Sequence, residues 1–260
     1  MISLRKRINF MTPFLAWMDY YKRNKHRIWE IDFARGIAII LMISLHIKWA
    51  IDYFGIGNTG VPPMVYGVLQ RFTAGTFIFL VGVSLVLSNL KVTEKKMLLK
   101  RNIIRGMNVF AYGMGITLIS YIFARNAMVL FGVLHLIGLG IILATFMLKQ
   151  NGLNLILGLG IVILGCYTVN IDMGWLFFLG FKYPGVETDF FPIMPWFGLT
   201  LIGVYVGNKY YIDGKTKFPL DKFPQVLEYI AFLGRHSLMI YFVHMIVILS
   251  FVFAIGKLSF

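Results

Sequence analysis

The sequence has few acidic residues and almost no cysteine. Only 11 Asp and Glu residues stand against 25 Lys and Arg residues, which gives a formal net charge of +14 over 260 residues. The single cysteine, Cys166, excludes an internal disulfide and a metal site built from several cysteines. Charged residues of both signs make up only 14% of the chain. The excess of basic residues therefore has to be explained within a chain that is mostly apolar.

Long apolar runs define the class of protein. Hydrophobic residues make up 58% of the chain, and several runs reach the roughly 20 residues that a helix needs to cross a bilayer. We predict an all-α, polytopic membrane helical bundle of about seven transmembrane helices in a lipid bilayer. Residues 1–30 are expected to form a basic, amphipathic interfacial helix, and residues 31–260 a single transmembrane domain. The predicted spans are 33–53, 66–90, 106–123, 128–148, 152–169, 191–208 and 237–256.

The basic residues indicate an orientation for these spans. Most Lys and Arg residues outside the spans fall in the N-terminal segment and in the loops after the second, fourth and sixth spans, whereas Arg125, Lys182 and Lys257 fall on the other side. Lys and Arg are enriched in cytoplasmic loops. We therefore predict a multi-pass protein of the cell membrane with a cytoplasmic N-terminus and an extracytoplasmic C-terminus. The same rule accounts for the net charge, so no nucleic-acid partner is expected.

Paired glycines recur inside the predicted spans. Small residues let helix backbones approach closely in a membrane, so these positions predict helix packing. No strand precedes any of them, which argues against a phosphate-binding glycine loop. The glycines are Gly113, Gly115, Gly138, Gly140, Gly158, Gly160, Gly203 and Gly207.

Two ionisable residues share one face of the first span. Arg35 and His46 are about three helical turns apart, or roughly 16 Å along the axis. Ionisable groups inside a membrane are costly and indicate function. Counted from the predicted span ends, His46, Arg71, His135 and His244 lie in the middle to outer half of the membrane. A polar cavity shared by these side chains is the simplest arrangement.

A basic cluster is predicted at the cytoplasmic side, where Arg35, Arg235 and His236 would suit phosphate groups. Simpler explanations also exist. A histidine on an apolar helix often only bonds a neighbouring helix, which explains His135 or His236 as well as catalysis does. Arg35 can extend to lipid headgroups. These alternatives remain open from the sequence alone.

Two residues near the outer end of the first span need partners. Asp52 lies six residues from His46 and off its helical face, so pairing would require the helix to end or bend near Trp49. Lys48 lies close enough to the outer half to require a partner, a cavity or a path to the headgroups. The three deep histidines lack the H-x-x-x-H or H-E-x-x-H spacing of metal ligands, so no metal is expected.

A set of segments spread over most of the chain carries a resemblance to a known family: residues 27–42, His46 with 52–55, 131–138, 189–198 and 233–244. In their order and spacing these segments resemble the heparan-alpha-glucosaminide N-acetyltransferase catalytic-domain family, particularly its short prokaryotic members. The Arg-Gly followed by a histidine also looks like the acyltransferase-3 family. The resemblance implies transfer of an acetyl or other acyl group from acyl-coenzyme A at the cytoplasmic side to an amine or hydroxyl of a glycan outside.

The resulting hypothesis is an integral membrane acyltransferase. A histidine can accept a proton from an amine or hydroxyl as it attacks a carbonyl. The resemblance implies that His46 is this base, and the absence of any histidine between His46 and His135 gives no support for a covalent acetyl carrier. The alternative is a transporter or channel for a small anion or glycan precursor, with the histidines as a proton relay. A homo-oligomer is possible in either case.

The candidate site residues divide into two groups. The predicted catalytic residues are His46 and Asp52. The predicted substrate- and coenzyme-A-binding residues are Arg35, Arg71, His135, Arg235, His236 and His244.

Overall fold

The computed structural model describes residues 28–90, 92–123, 128–168, 170–182, 189–215 and 226–258. Within these ranges the chain forms α-helices, one short 3-10 helix at Gly174–Leu179 and connecting turns, without a β-strand. The all-α prediction is confirmed, whereas nearly all of the predicted interfacial helix at residues 1–30 lies outside the described residues. The α-helices are α1 Trp29–Tyr53, α2 Pro63–Asn89, α3 Lys95–Phe123, α4 Val133–Met147, α5 Asn151–Thr168, α6 Ile193–Tyr210, α7 Val226–Arg235 and α8 Ser237–Leu258.

The helices are those of a multi-pass membrane protein. Four of them, α1, α2, α3 and α5, are long and apolar enough to cross a membrane. Helices α7 and α8 meet at a bend of 87° and form a fifth candidate if they are taken as one broken span. Helix α4 is apolar but only 15 residues long. The count of seven spans therefore stays a prediction.

Two helices differ from the predicted spans, one in where it begins and one in being an additional helix. Helix α3 begins at Lys95, although its apolar run predicts a span only from residue 106. Lys and Arg are good helix formers, so the helix continues through basic turns that a search for apolar runs does not detect. Helix α7 is not among the predicted spans, because its apolar residues are mixed with polar ones along an amphipathic pattern.

The chain divides into two compact units. One contains the described residues of Met1–Phe77 and Gly214–Phe260, and the other contains those of Ile78–Asp213. We call them the first and the second unit. Helix α2 contributes residues to both. A single transmembrane domain over residues 31–260 stays a prediction.

In the first unit, helix α1 packs against both α7 and α8. The contact with α7 is very close, because a Cβ at Gly36 would lie 1.9 Å from the carbonyl oxygen of Ile230. A Cβ at Gly234 would lie 1.7 Å from the carbonyl oxygen of Asp32. Only glycine allows two helix backbones to approach to this extent. Helix α7 is therefore fixed against the first two turns of α1.

In the second unit, α3 packs against α4 and α5 packs against α6. The predicted packing role of the glycines is confirmed at the crowded positions: a Cβ at Gly138 would lie 2.5 Å from the backbone nitrogen of Phe110, and one at Gly158 2.9 Å from the carbonyl oxygen of Gly198. Gly115 and Gly160 differ, since nothing lies within 4 Å of a Cβ placed there. Those two glycines are not explained by close packing. The other crowded members of the predicted set are Gly113, Gly203 and Gly207.

Candidate active site

The candidate site is built along helix α1 in the first unit. Toward the end of α1, Ala50 packs against Ile248 and Val252 of α8, with Trp49 beside them. This apolar contact fixes the rotation of the two helices. One turn earlier on each helix, the same faces carry His46 and His244.

His46 and His244 form an edge-to-face pair. Their ring centroids are 4.8 Å apart and the ring planes are inclined by 74°. Tyr241 lies against His244 from its own helix, with 5.6 Å between the ring centroids. The structure thus brings together two histidines that are almost two hundred residues apart in the sequence, one on a candidate membrane span and one on the second helix of the bent α7–α8 pair.

The hydrogen bonds of the two rings fix their tautomers. Nδ1 of His46 lies 2.8 Å from the carbonyl oxygen of Met42, and Nδ1 of His244 lies 3.1 Å from that of Ile240. A carbonyl oxygen only accepts hydrogen bonds, so each Nδ1 carries the hydrogen and donates it. In the neutral rings the lone pair is therefore on Nε2. Each histidine presents a basic nitrogen away from its own backbone.

The lone pair of His244 is also buried. The residue is only 6% exposed, and its Nε2 has no hydrogen-bond partner among the described residues. His46 is half-buried. An acceptor without a donor in the interior is unfavourable, so the pair is suited to a ligand that donates an N–H or O–H group. No group of three or more potential metal ligands occurs in the described ranges.

Asp52 is engaged by residues other than His46. Its carboxylate forms an ion pair with Lys48, four residues earlier on α1. Thr59 adds a weak hydrogen bond at 3.5 Å. Lys48 in turn lies over the ring of Tyr66, 4.9 Å from its centroid. The spacing of four between Lys48 and Asp52 is the sequence signal for this pair, and it places both side chains on one face of the helix.

At the other end of α1, Arg35 binds Asp32 at 3.3 Å. Asp32 is buried, with 2% of its surface exposed. The close crossing of Gly36 and Gly234 brings the Arg35–Gly36 segment onto the Gly234–Arg235 segment. The guanidinium carbon of Arg235 also lies 5.2 Å from the centroid of the Phe232 ring. The structure therefore joins the backbones that carry two of the three residues in the predicted basic cluster.

His236 and Arg71 lie at more open positions of the first unit. His236 stands at the bend between α7 and α8, where its Nδ1 donates to the carbonyl oxygen of Phe232 at 3.0 Å. Arg71 is an exposed residue of α2. Within the described ranges, Arg71 forms neither a hydrogen bond nor an ion pair. Both can reach a ligand without breaking a buried contact.

His135 stands apart from the other candidates, because it belongs to the second unit. Its Nδ1 accepts a hydrogen bond from the backbone N–H of Gly132 at 3.1 Å, and its Nε2 lies 3.4 Å from the hydroxyl of Thr117. The ring is 1% exposed and packs against Gly113 and Phe131. Both nitrogens are occupied, which favours the structural explanation over ligand binding. His135 holds the start of α4 against α3.

The fold defines a class, a multi-pass helical membrane protein, and this one carries a histidine pair between α1 and α8. The model of one family, described as heparan-alpha-glucosaminide N-acetyltransferase, catalytic, matches residues 27–246. The chain belongs to this family, which confirms the resemblance seen in the sequence and identifies a membrane acetyltransferase in general terms. No curated protein and no solved structure matches the chain.

Proposed function

We propose that the protein transfers an acetyl or other acyl group from acyl-coenzyme A to an amine or hydroxyl of a glycan, with His46 as the general base. The observation that carries this proposal is the pair formed by His46 and His244, whose Nε2 lone pairs are set away from the backbone. Membership of an acetyltransferase family supplies the reaction class. The chemistry needs a base that can take a proton within the membrane.

In the proposed reaction, Nε2 of His46 takes the proton of the acceptor amine or hydroxyl as that group attacks the thioester carbonyl. A bond from carbon to nitrogen or oxygen forms, the carbon–sulfur bond breaks, and the proton passes from His46 to the sulfur to release coenzyme A as a thiol. No oxidant or metal is required. A positioned base of this kind contributes on the order of 10²- to 10⁴-fold to a rate.

His244 is proposed to assist this base. Its Nε2 offers a second acceptor beside His46, so an attacking group with two N–H bonds can be held by both rings. Ala50 and Ile248 form a buried apolar contact one turn away, and electrostatic interactions are stronger in such low-dielectric surroundings. His244 acts through orientation of the acceptor and of the His46 ring.

The donor is proposed to bind at the basic residues of the first unit. Arg35 and Arg235 at the α1–α7 crossing and His236 at the bend provide cationic groups for the phosphates of coenzyme A. Arg71 on α2, which the sequence places in the same part of the membrane as His46, is proposed to bind the thioester carbonyl. With the orientation predicted from the Lys and Arg distribution, Arg35 faces the cytoplasm and His46 lies beyond the midplane. An acyl group would then pass outward along α1. Asp52 is proposed to hold Lys48 at the outer end of this path.

The test is acyl transfer by the purified His46→Ala variant. Because general base catalysis is lost, transfer from acetyl-coenzyme A to an amino sugar should fall by at least about 100-fold. Product is measured by chromatography and coenzyme A release by a thiol assay. Ser44→Ala is the matched control on the same helix, since the Ser44 hydroxyl is exposed and bonds only the carbonyl of Ile40.

Full activity of His46→Ala would remove the assignment of the base. Donor binding is tested separately by thermal denaturation with coenzyme A and acetyl-coenzyme A, since a ligand of the folded state raises its melting temperature. No shift with either compound at saturation would contradict donor binding and favour the transporter hypothesis.

A further inference from the structure

We propose that the second unit contains a phosphate-binding site at the corner between α2 and α3, formed by Arg101, Asn102 and Arg105 together with Ser88 and Asn89. The ligand is a phosphate group, either of an anionic lipid headgroup or of a soluble phosphate compound such as coenzyme A. The site shares no residue with the histidine pair. It does not depend on acyl transfer.

Two guanidinium groups converge on the last turn of α2. Arg101 donates to the carbonyl oxygen of Ser88 at 2.5 Å and to Oδ1 of Asn89 at 2.6 Å. Arg105, one turn further along α3, donates to the hydroxyl of Ser88 at 3.5 Å. Both side chains are exposed. They therefore reach the same residue of α2 while remaining accessible to a ligand.

This corner carries positive charge that no carboxylate of the described residues neutralises. Neither Arg101 nor Arg105 forms an ion pair with a carboxylate in the described part of the chain. Like charges four residues apart on a helix destabilise it. Two arginines held together in this way attract an anion, and phosphate matches the fork geometry of a guanidinium.

A buried amide adds a second, independent observation. Asn102 lies between the two arginines in the sequence and is 1% exposed, yet its Nδ2 has no hydrogen-bond partner among the described residues. Its Oδ1 is 3.5 Å from Nδ2 of Asn89, the residue that also binds Arg101. A buried donor without a partner is unfavourable. An anion bound between the arginines would supply an acceptor.

Capping of α2 alone does not explain this arrangement. An arginine that bonds the final carbonyl of a helix is a common stabilising contact, and it accounts for the bond of Arg101 to Ser88. It does not account for Arg105 or for the Asn102 amide. A guanidinium carries five N–H donors, so both arginines retain donors for a ligand.

The test compares two double variants of the purified full chain that change the net charge equally. Arg101→Gln with Arg105→Gln removes the proposed site, and Lys96→Gln with Lys100→Gln removes two exposed charges from the same helix. Melting temperature is followed during titration with coenzyme A, 3′-dephospho-coenzyme A and inorganic phosphate. A parallel series uses micelles containing phosphatidylglycerol or, as the neutral reference, phosphatidylcholine.

We expect at least one phosphate probe to stabilise the wild type, and the arginine double variant to weaken that probe's apparent affinity by about tenfold or more. The lysine double variant should weaken it by less than about twofold. If the arginine double variant loses stabilisation only by phosphatidylglycerol, the site binds a lipid headgroup. If the arginine double variant loses more affinity for coenzyme A than for 3′-dephospho-coenzyme A, the site binds the 3′-phosphate.

Equal affinities in the two double variants, or no stabilisation of the wild type by any phosphate probe, would overturn the proposal. The single variant Arg105→Gln keeps the proposal testable if the arginine double variant does not fold. Arg105 makes only a long bond to Ser88, so its removal leaves the cap of α2 intact. It should still weaken the same probe, and unchanged affinity in a folded Arg105→Gln protein would also count against the site.

Discussion

At the scale of single residues, the partner of Nδ1 distinguishes the roles of the histidines. In His46 and His244 that partner is a backbone carbonyl, so the hydrogen is on Nδ1 and a lone pair remains on Nε2. In His135 the partner is the N–H of Gly132, so Nδ1 is the acceptor and Nε2 carries the hydrogen. The first arrangement leaves a base available. The second uses the whole ring as a cap.

This difference predicts opposite effects for two substitutions. His244→Leu should lower transfer by at least about tenfold, mainly in kcat, because leucine has no acceptor to replace Nε2 beside His46. His135→Ala should instead destabilise the fold by about 1–3 kcal/mol, because the Gly132 N–H loses its partner. Steady-state kinetics and chemical denaturation in detergent measure the two effects. Similar kinetic losses per folded molecule in both variants would contradict the separation of roles.

Some of these residue contacts were accessible from the sequence and others were not. The spacing of four between Lys48 and Asp52, and of three between Asp32 and Arg35, predicts contacts within one helix. The pairing of His46 with His244 could not be derived in this way, since it depends on how α8 is rotated against α1. That rotation follows from the apolar contact of Ala50 with Val252. Periodicity indicates an apolar face but not which helix covers it.

At the scale of elements, α1 is the helix that positions the site. Its first turns are held by α7 and its later turns by α8. Because of the bend of 87° between those two helices, each contacts a different segment of α1. Arg35 and His46 are therefore fixed by different neighbours. The sequence predicts α1 and α8 from their apolar runs, whereas the close approach at Gly36 and Gly234 becomes visible only once α7 is placed.

Glycine-to-alanine substitutions test this crossing. Gly36→Ala and Gly234→Ala should each destabilise the protein by at least about 2 kcal/mol, because the new methyl group would overlap a backbone carbonyl of the facing helix. Transfer should fall as well, since α7 carries Arg235. Unfolding in a denaturant series and acyl-transfer assays measure the two effects.

The matched controls are Gly115→Ala and Gly160→Ala, which lie inside helices with open space around the position. Alanine is favoured over glycine in a helix by about 1 kcal/mol, so these variants should be as stable as the wild type or more stable. If all four variants behaved alike, a general intolerance of the helices to substitution would explain the result better than a close crossing at Gly36 and Gly234.

At the scale of the whole molecule, composition predicts the class and the order of the motifs predicts the family, but neither gives the number of crossings. Several helices are long and apolar enough to cross a membrane, in a chain with an apolar content of 58%. Helix α4 has only 15 residues, and α6 falls below the apolar content of the other candidate spans. The loops rich in Lys and Arg nevertheless all fall on the same side of the membrane only if both helices cross it. The side of the membrane on which the loop between α4 and α5 lies shows whether α4 crosses.

Single cysteines at loop positions provide the measurement. In a Cys166→Ser background, Gly57→Cys and Asp172→Cys should react with a membrane-impermeant thiol reagent on intact cells, because the seven-span topology places both loops outside. Gln150→Cys should react only after permeabilisation, since its loop is predicted to be cytoplasmic. All three positions are exposed. If Gln150→Cys reacts on intact cells and Asp172→Cys does not, α4 fails to cross, and the outer segment after α5 lies on the donor side of the membrane.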